Sequence, residues 1–92
     1  TDWVVKSNVE AGEGFADIII EPQNPDNGII FEFKHSKEAS GLDKACERAL
    51  KQIRDRRYSE YLKNDGRHNI MLYGIAFYKK RCKVVVEKLK EA

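Results

Sequence analysis

The sequence has few of the residues and patterns that signal covalent cross-links, structural zinc or a membrane span. Its 92 residues include only two cysteines, Cys46 and Cys82, which stand far apart and lack metal-ligand spacing. We therefore expect reduced thiols and a cytoplasmic location. Neither His35 nor His68 has a partner at ligand spacing, which argues against zinc. No uncharged apolar run approaches the ~20 residues of a membrane-spanning helix, so no membrane partner is expected.

The charge balance is close to neutral. Seventeen basic residues against fifteen acidic ones give a net charge of +2, which is compatible with a polyanionic partner but does not require one.

Hydrophobic residues make up 41% of the chain, enough for one modest core, and the length predicts a single domain, residues 1–92. Because the chain opens with Thr1 and enters a strand-like segment at once, we expect a fragment of a longer protein.

The distribution of apolar and turn residues predicts the order strand, strand, strand, helix, strand, strand. A mixed sheet with one crossover helix packed on it, an α/β or α+β fold, follows from this order. The predicted strands are Trp3–Val9, Phe15–Glu21, Ile29–Lys34, Ile70–Tyr78 and Cys82–Lys88.

One amphipathic helix is predicted between the third and fourth strands. Ser40 is the expected N-cap, and apolar residues from Leu42 to Ile53 recur with helical spacing, which places Cys46 in the core. The stripe fails after Ile53, so we expect the helix to end, bend or leave the core near Arg56, with a continuation to Leu62 as the alternative.

Two acids and a lysine interrupt otherwise apolar strands. Glu32 and Lys34 alternate along one strand and therefore project from the same face, and Asp17 precedes three isoleucines in the neighbouring strand. Charges in such strands are costly unless they are paired or bind a metal. Two carboxylates on adjacent strands can hold Mg²⁺, and a nearby lysine could orient the attacking water in phosphodiester hydrolysis.

The spacing of these residues resembles that of a known enzyme group. Asp17 is followed after fourteen residues by Glu32-Phe33-Lys34, then by Ala49-Leu50-Lys51-Gln52-Ile53 with Tyr58, and by Tyr73-Gly74-Ile75-Ala76-Phe77. In these motifs the chain resembles the PD-(D/E)xK nuclease superfamily. It looks most like the nuclease domain found C-terminal to AAA-ATPase-like regions in bacterial and archaeal proteins.

The resemblance implies a restriction-endonuclease-like fold and a role for each matching residue. Asp17 and Glu32 would bind Mg²⁺ or Mn²⁺, Lys34 would be the catalytic lysine, and Gln52 would face the active site. Glu10 would be a further acid near the metal or in an active-site loop. The implied substrate is nucleic acid, DNA rather than RNA, with an ATPase domain in the parent chain.

The sequence departs from the superfamily pattern at two points. Ala16 stands where a proline is common, and no helix precedes Trp3. We therefore expect that the first core helix either was cut away or is supplied by another segment. An apolar face of the sheet would then be uncovered, and a homodimer or a docked partner segment is the expected cover.

Three functions remain open at this point. The chain could be a nuclease, a catalytically silent domain that binds nucleic acid or an ATPase, or a structural domain whose acids pair with Lys34. Gln52 fits a helix-boundary residue as well as a site residue, and Tyr58 is interpreted as a packing residue. The basic residues of the helix are interpreted as a solvated face with internal pairs, with phosphate binding as the alternative: Arg48, Lys51, Arg54, Arg56 and Arg57.

Overall fold

The computed structural model describes residues 2–90, and its elements follow the predicted order. The strands are β1 (Val4–Ala11), β2 (Gly14–Glu21), β3 (Asn27–His35), β4 (Asn69–Tyr78) and β5 (Arg81–Lys88), and the helices are α1 (Leu42–Asp55) and α2 (Glu60–Asn64). One sheet contains all these strands in the order β1-β2-β3-β4-β5. Only β3 and β4 run parallel, which requires the helical crossover between them. The predicted α+β mixed sheet is confirmed.

Helix α1 covers one face of the sheet through the predicted apolar stripe. Its buried residues are Ala45, Cys46, Ala49, Leu50 and Ile53. They pack against the side chains that alternate onto this face, among them Ile30 and Leu72, which are fully buried. Burial of this stripe away from water fixes which side of β3 points toward the helix.

The start of α1 differs from the prediction. Ser40 is not the N-cap; it lies inside a 3₁₀ turn, Ala39–Gly41, and Gly41 caps α1 without a side-chain hydrogen bond. Ser36 begins this turn instead, because its hydroxyl donates to the Glu38 carbonyl at 2.6 Å, and the same carbonyl accepts from the Gly41 N–H. The last helical residue is Asp55, which confirms the predicted end near Arg56.

The β1–β2 hairpin is fastened to the C-terminal end of α1. The Glu13 N–H donates to the Arg56 carbonyl at 2.8 Å, and Arg57 Nε donates to Glu13 Oε2 at 2.8 Å. Gly12 approaches so closely, at φ +53°, that an added Cβ would lie 2.2 Å from the Arg57 carbonyl oxygen. Only glycine fits this position without movement of the backbone.

The opposite face of the sheet is apolar and partly exposed. Phe31 and Tyr73 meet edge to face with ring centroids 5.0 Å apart, and Phe33 and Phe77 continue the aromatic row. Within residues 2–90 both helices lie on the other side, so the predicted uncovered face is present in this part of the chain. None of the helices within residues 2–90 combines the length and apolar composition of a membrane-spanning helix.

Candidate active site

Strands β2 and β3 separate at the point where the predicted acids stand. Their pairing joins Ile18–Ile20 to Ile29–Phe31 and does not continue beyond Phe31. Asp17 Oδ2 instead accepts the Phe33 N–H at 2.9 Å, and Glu32 Oε1 lies 3.4 Å from the Asp17 N–H. The carboxylates thus replace backbone partners between the diverging strands. This exchange satisfies the backbone donors and holds both carboxyl groups in one gap.

A hydrogen-bonded chain links Glu32 and Lys34 to the helix. Gln52 Nε2 donates to Glu32 Oε2 at 2.7 Å and to the Tyr58 hydroxyl at 2.9 Å. Gln52 Oε1 accepts from Lys34 Nζ at 2.5 Å. Both amide hydrogens and the amide oxygen of Gln52 therefore have partners, which fixes the orientation of its side chain. Lys34 Nζ is also 4.0 Å from Glu32 Oε2.

The Glu32 carboxyl group is buried in an environment that disfavours its charge. Glu32 is only 3% exposed. Burial, followed by the neighbouring charge of Asp17, raises the pKa of Glu32 from 4.5 to about 7, although Lys34 acts in the opposite direction. Two carboxyl groups lie together at this site, and Lys34, 4.0 Å from Glu32, is the neighbouring cation. One positive charge does not balance two ionised carboxyl groups, so the site favours a further cation.

The donor set fits a hard divalent cation. Within residues 2–90, Asp17 Oδ1 has no hydrogen-bond partner, and Glu32 Oε1 has a single one, the Asp17 N–H at 3.4 Å. Carboxylate oxygens suit Mg²⁺, which commonly uses one or two carboxylates and retains several waters. No cluster of three or more His, Cys, Asp or Glu side chains that could hold a metal occurs in the described part of the chain. Asp17 and Glu32 are two acids held close together here, and they could hold such an ion if water supplied its other ligands.

Glu10 does not join these residues. It lies on β1 opposite Phe15 and lines a groove with Arg57, Glu60 and neighbouring residues. Within residues 2–90 it makes no hydrogen bond or ion pair with Asp17, Glu32, Lys34 or Gln52. The structure gives no support to its predicted place near the metal. Val9 and Ala11, its neighbours on β1, pack into the core beneath the helices, so Glu10 alternates to the other face of the strand.

A shallow depression borders Lys34 on the helix side. It has a volume of about 320 Å³ and is lined by Lys34, Arg48, Lys51, Gln52, Asp55 and Arg56. A larger depression, about 840 Å³, lies around Asn27 and Asn69 at the opposite end of β3 and β4. We place the candidate site at the smaller one, since the acids, the lysine and the glutamine meet beside it.

Comparison with known families shows the superfamily of the chain. A family model of the PD-(D/E)XK nuclease superfamily matches residues 1–87. The chain belongs to this superfamily. PD-(D/E)XK proteins are usually nucleases and typically use Mg²⁺ or Mn²⁺. No curated protein and no solved structure gives a significant match to the chain.

The residues that the fold brings together include the acids and the lysine that resemble the superfamily motif. Asp17 on β2 and Glu32-Phe33-Lys34 on β3 have the residue types and order of the pattern that gives the superfamily its name, with Ala16 in place of the proline. Gln52 approaches them from α1. Four of the five predicted site residues are therefore neighbours, and Glu10 is not.

The sequence interpretation missed the hydroxyl of Tyr58. Tyr58 is a packing residue as predicted, only 2% exposed, but its hydroxyl also accepts a hydrogen bond from Gln52. Its ring lies against Gly14, where an added Cβ would be 3.3 Å from the hydroxyl oxygen. Its place just after the predicted helix end was the available signal, because a buried tyrosine there needs a polar partner for its hydroxyl.

Proposed function

We propose that this domain is a Mg²⁺- or Mn²⁺-dependent nuclease that hydrolyses phosphodiester bonds in DNA. The observation that carries the proposal is the meeting of Asp17, Glu32 and Lys34 at the splayed end of β2 and β3, with Gln52 holding the lysine. Membership of a superfamily of nucleases supports the same reaction class.

Asp17 and Glu32 would hold the divalent ion in this proposal. When bound, the ion supplies positive charge to the phosphate and lowers the pKa of a water molecule. The buried Glu32 carboxyl group, with its raised pKa, gains from a nearby cation because the cation offsets the repulsion from Asp17. Gln52 keeps Glu32 oriented through the 2.7 Å hydrogen bond to Oε2.

Lys34 would act on the reacting phosphate and the attacking water. Its side chain is 29% exposed, so the ammonium group reaches the depression while its position is fixed by Gln52 Oε1. A cation held there can orient the water and stabilise the negative charge that develops on the phosphate oxygens. Positioning of this kind requires a rigid supporting residue, which the fully bonded Gln52 amide supplies.

Cleavage of supercoiled plasmid DNA in the presence of Mg²⁺ or Mn²⁺ tests the proposal. We expect cleavage by the unaltered chain, and its loss in Asp17→Asn and in Lys34→Ala. Asp26→Asn, which removes an exposed acid at the other end of β3, is the matched control and should cleave normally. A parallel assay with RNA tests the preference for DNA.

The rival function gives a different result in the same assays. A catalytically silent binding domain would retain DNA without cutting it, and Asp17→Asn and Lys34→Ala would leave that binding intact. Such a result with either metal would overturn the proposed nuclease activity. The association with an ATPase region and the homodimer stay predictions.

A further inference from the structure

Two arginines lie on either side of Gln52 along the exposed flank of α1. Arg48, Gln52 and Arg56 follow one another at intervals of four residues, which places them in a row on one side of the helix. All three line the depression that borders Lys34. The ends of this row are about 12 Å apart, given the rise of an α-helix.

These two arginines differ from the neighbouring basic residues in their pairing. Arg54 is bound by both carboxylate oxygens of Glu87, Arg57 is paired with Glu13, and Lys51 is paired with Asp55. Within residues 2–90, neither Arg48 nor Arg56 has a carboxylate partner. In the same part of the chain, the Arg56 guanidinium group makes one long hydrogen bond, 3.4 Å, to the Glu13 carbonyl oxygen. The predicted helix face with i,i+4 pairs thus describes Lys51. Arg54 and Arg57 pair instead with acids on β5 and in the β1–β2 turn. The two arginines beside the site fit neither description.

The arrangement fits a ligand with repeated negative charges. A guanidinium group binds a phosphate through two parallel hydrogen bonds and is more easily stripped of water than an ammonium group. Two such groups, about 12 Å apart along the helix, suit two separate phosphates of one strand. A single isolated phosphate would need the two groups to converge. The two arginines lie on an exposed side of the helix and not on an element shaped to enter a groove of the duplex. Their contacts would therefore be to the phosphate backbone of the nucleic acid and independent of base sequence.

From this placement we infer that Arg48 and Arg56 bind backbone phosphates of the nucleic-acid strand on both sides of the bond presented to Lys34. The inference rests on the proposed function and adds the surface that positions the substrate. The two arginines would hold the strand along α1, and Gln52 between them keeps Lys34 at the reacting phosphate.

Binding of a fluorescently labelled DNA duplex, in EDTA and over a range of salt concentrations, tests this surface without cleavage. We expect the double variant Arg48→Gln/Arg56→Gln to bind at least tenfold more weakly at low salt. The slope of log K against log salt should fall by about two, because each lost phosphate contact reduces it by about one. Both residues are exposed, so circular dichroism should remain unchanged.

Two further variants separate a specific surface from the overall charge. Lys63→Gln/Lys80→Gln removes the same charge at exposed positions outside the depression and should alter binding little. Arg48→Lys/Arg56→Lys keeps the charge and should retain most of the salt dependence. Equal weakening in the two neutralised variants would overturn the inference.

The results also distinguish this inference from the proposed function. If the unaltered chain cleaves DNA and Arg48→Gln/Arg56→Gln binds and cleaves as well as it does, the phosphate surface is wrong and the nuclease stands. If the unaltered chain neither binds nor cleaves DNA with either metal, the nuclease itself is wrong and the surface falls with it.

Discussion

Gln52 Nε2 lies 2.7 Å from Glu32 Oε2, and this hydrogen bond joins the crossover helix to the buried carboxyl group of the sheet. The same amide holds Lys34 through its oxygen and Tyr58 through its second hydrogen. Tyr58 therefore helps to orient Lys34 through Gln52, although it makes no hydrogen bond to Lys34 or Glu32 itself.

Tyr58→Phe should lower the cleavage rate constant about tenfold while substrate affinity changes little. The change keeps the buried ring and removes the hydroxyl that accepts from Gln52, so one amide hydrogen loses its partner and Gln52 can rotate. Loss of a buried partner costs about 1–3 kcal/mol of stability. Steady-state cleavage kinetics and urea unfolding measure the two effects separately.

Tyr61→Phe is the matched control for the tyrosine prediction. This change also removes a tyrosine hydroxyl, but the hydroxyl of Tyr61 contacts Lys6 and Glu21, away from the candidate site. A rate that falls equally in both variants, or a normal rate in Tyr58→Phe, would contradict a positioning role for Tyr58.

The stability of the metal-free chain should fall as pH rises from about 4.5 to about 7. Glu32 has a pKa of 4.5 when unfolded and about 7 when folded, so the folded chain keeps a proton that the unfolded chain releases in this window. The contribution is fully present below the lower pKa and is lost above the higher one. It amounts to something on the order of 3 kcal/mol, since each pH unit between the two values corresponds to about 1.4 kcal/mol.

Glu32→Gln should remove this part of the pH dependence. Urea unfolding at a series of pH values, in EDTA, measures the difference between the variant and the unaltered chain. Glu47→Gln, at an exposed position on α1, should leave the curve unchanged. Parallel curves for the unaltered chain and Glu32→Gln would show that the buried carboxyl group is not the source.

Mg²⁺ or Mn²⁺ should raise the thermal midpoint of the unaltered chain near pH 8, which is above the raised pKa of Glu32. At a concentration about 100-fold above Kd, binding adds ~2.7 kcal/mol. For a domain of this size that corresponds to a shift on the order of 10 °C. The shift should disappear in Asp17→Asn and persist in Asp26→Asn, as measured by scanning calorimetry. An identical shift in both variants would place the ion elsewhere.

Gly12→Ala should destabilise the fold by about 2–4 kcal/mol. A methyl group there would overlap the backbone carbonyls of Arg56 and Arg57, and the positive φ adds strain. Gly66→Ala is the control, because Gly66 also has a positive φ, +82°, but open space around it. It should cost only about 1 kcal/mol in chemical unfolding. Equal losses would mean that the hairpin tip is not tightly docked.

The alternation of side chains along β3 is enough to predict the part of the candidate site that lies on this strand. Glu32 and Lys34 project from one face because residues two apart in a strand share a side, and the apolar neighbours show which side is buried. The helix stripe likewise follows from spacing alone, from Leu42 to Ile53. These features depend on one element at a time.

The features that sequence reasoning missed depend on contacts between distant segments. The separation of β2 and β3 arises because Asp17 accepts the Phe33 N–H, a choice between side chain and backbone that no periodicity encodes. Gln52 could be read as a boundary residue until its partners on β3 were known. Ser40 has the chemistry of a cap, but the turn before α1 is set by Ser36 and the Glu38 carbonyl.

The site is assembled from two stretches of chain that meet only in the native state. Its acids and its lysine belong to the continuous β1–β3 meander, whereas the amide and hydroxyl that orient them come from the crossover between β3 and β4. A local opening that lifts α1 from the sheet would leave the acid pair in place and release the lysine. Catalytic competence would therefore follow the docking equilibrium of one helix rather than the global unfolding of the domain.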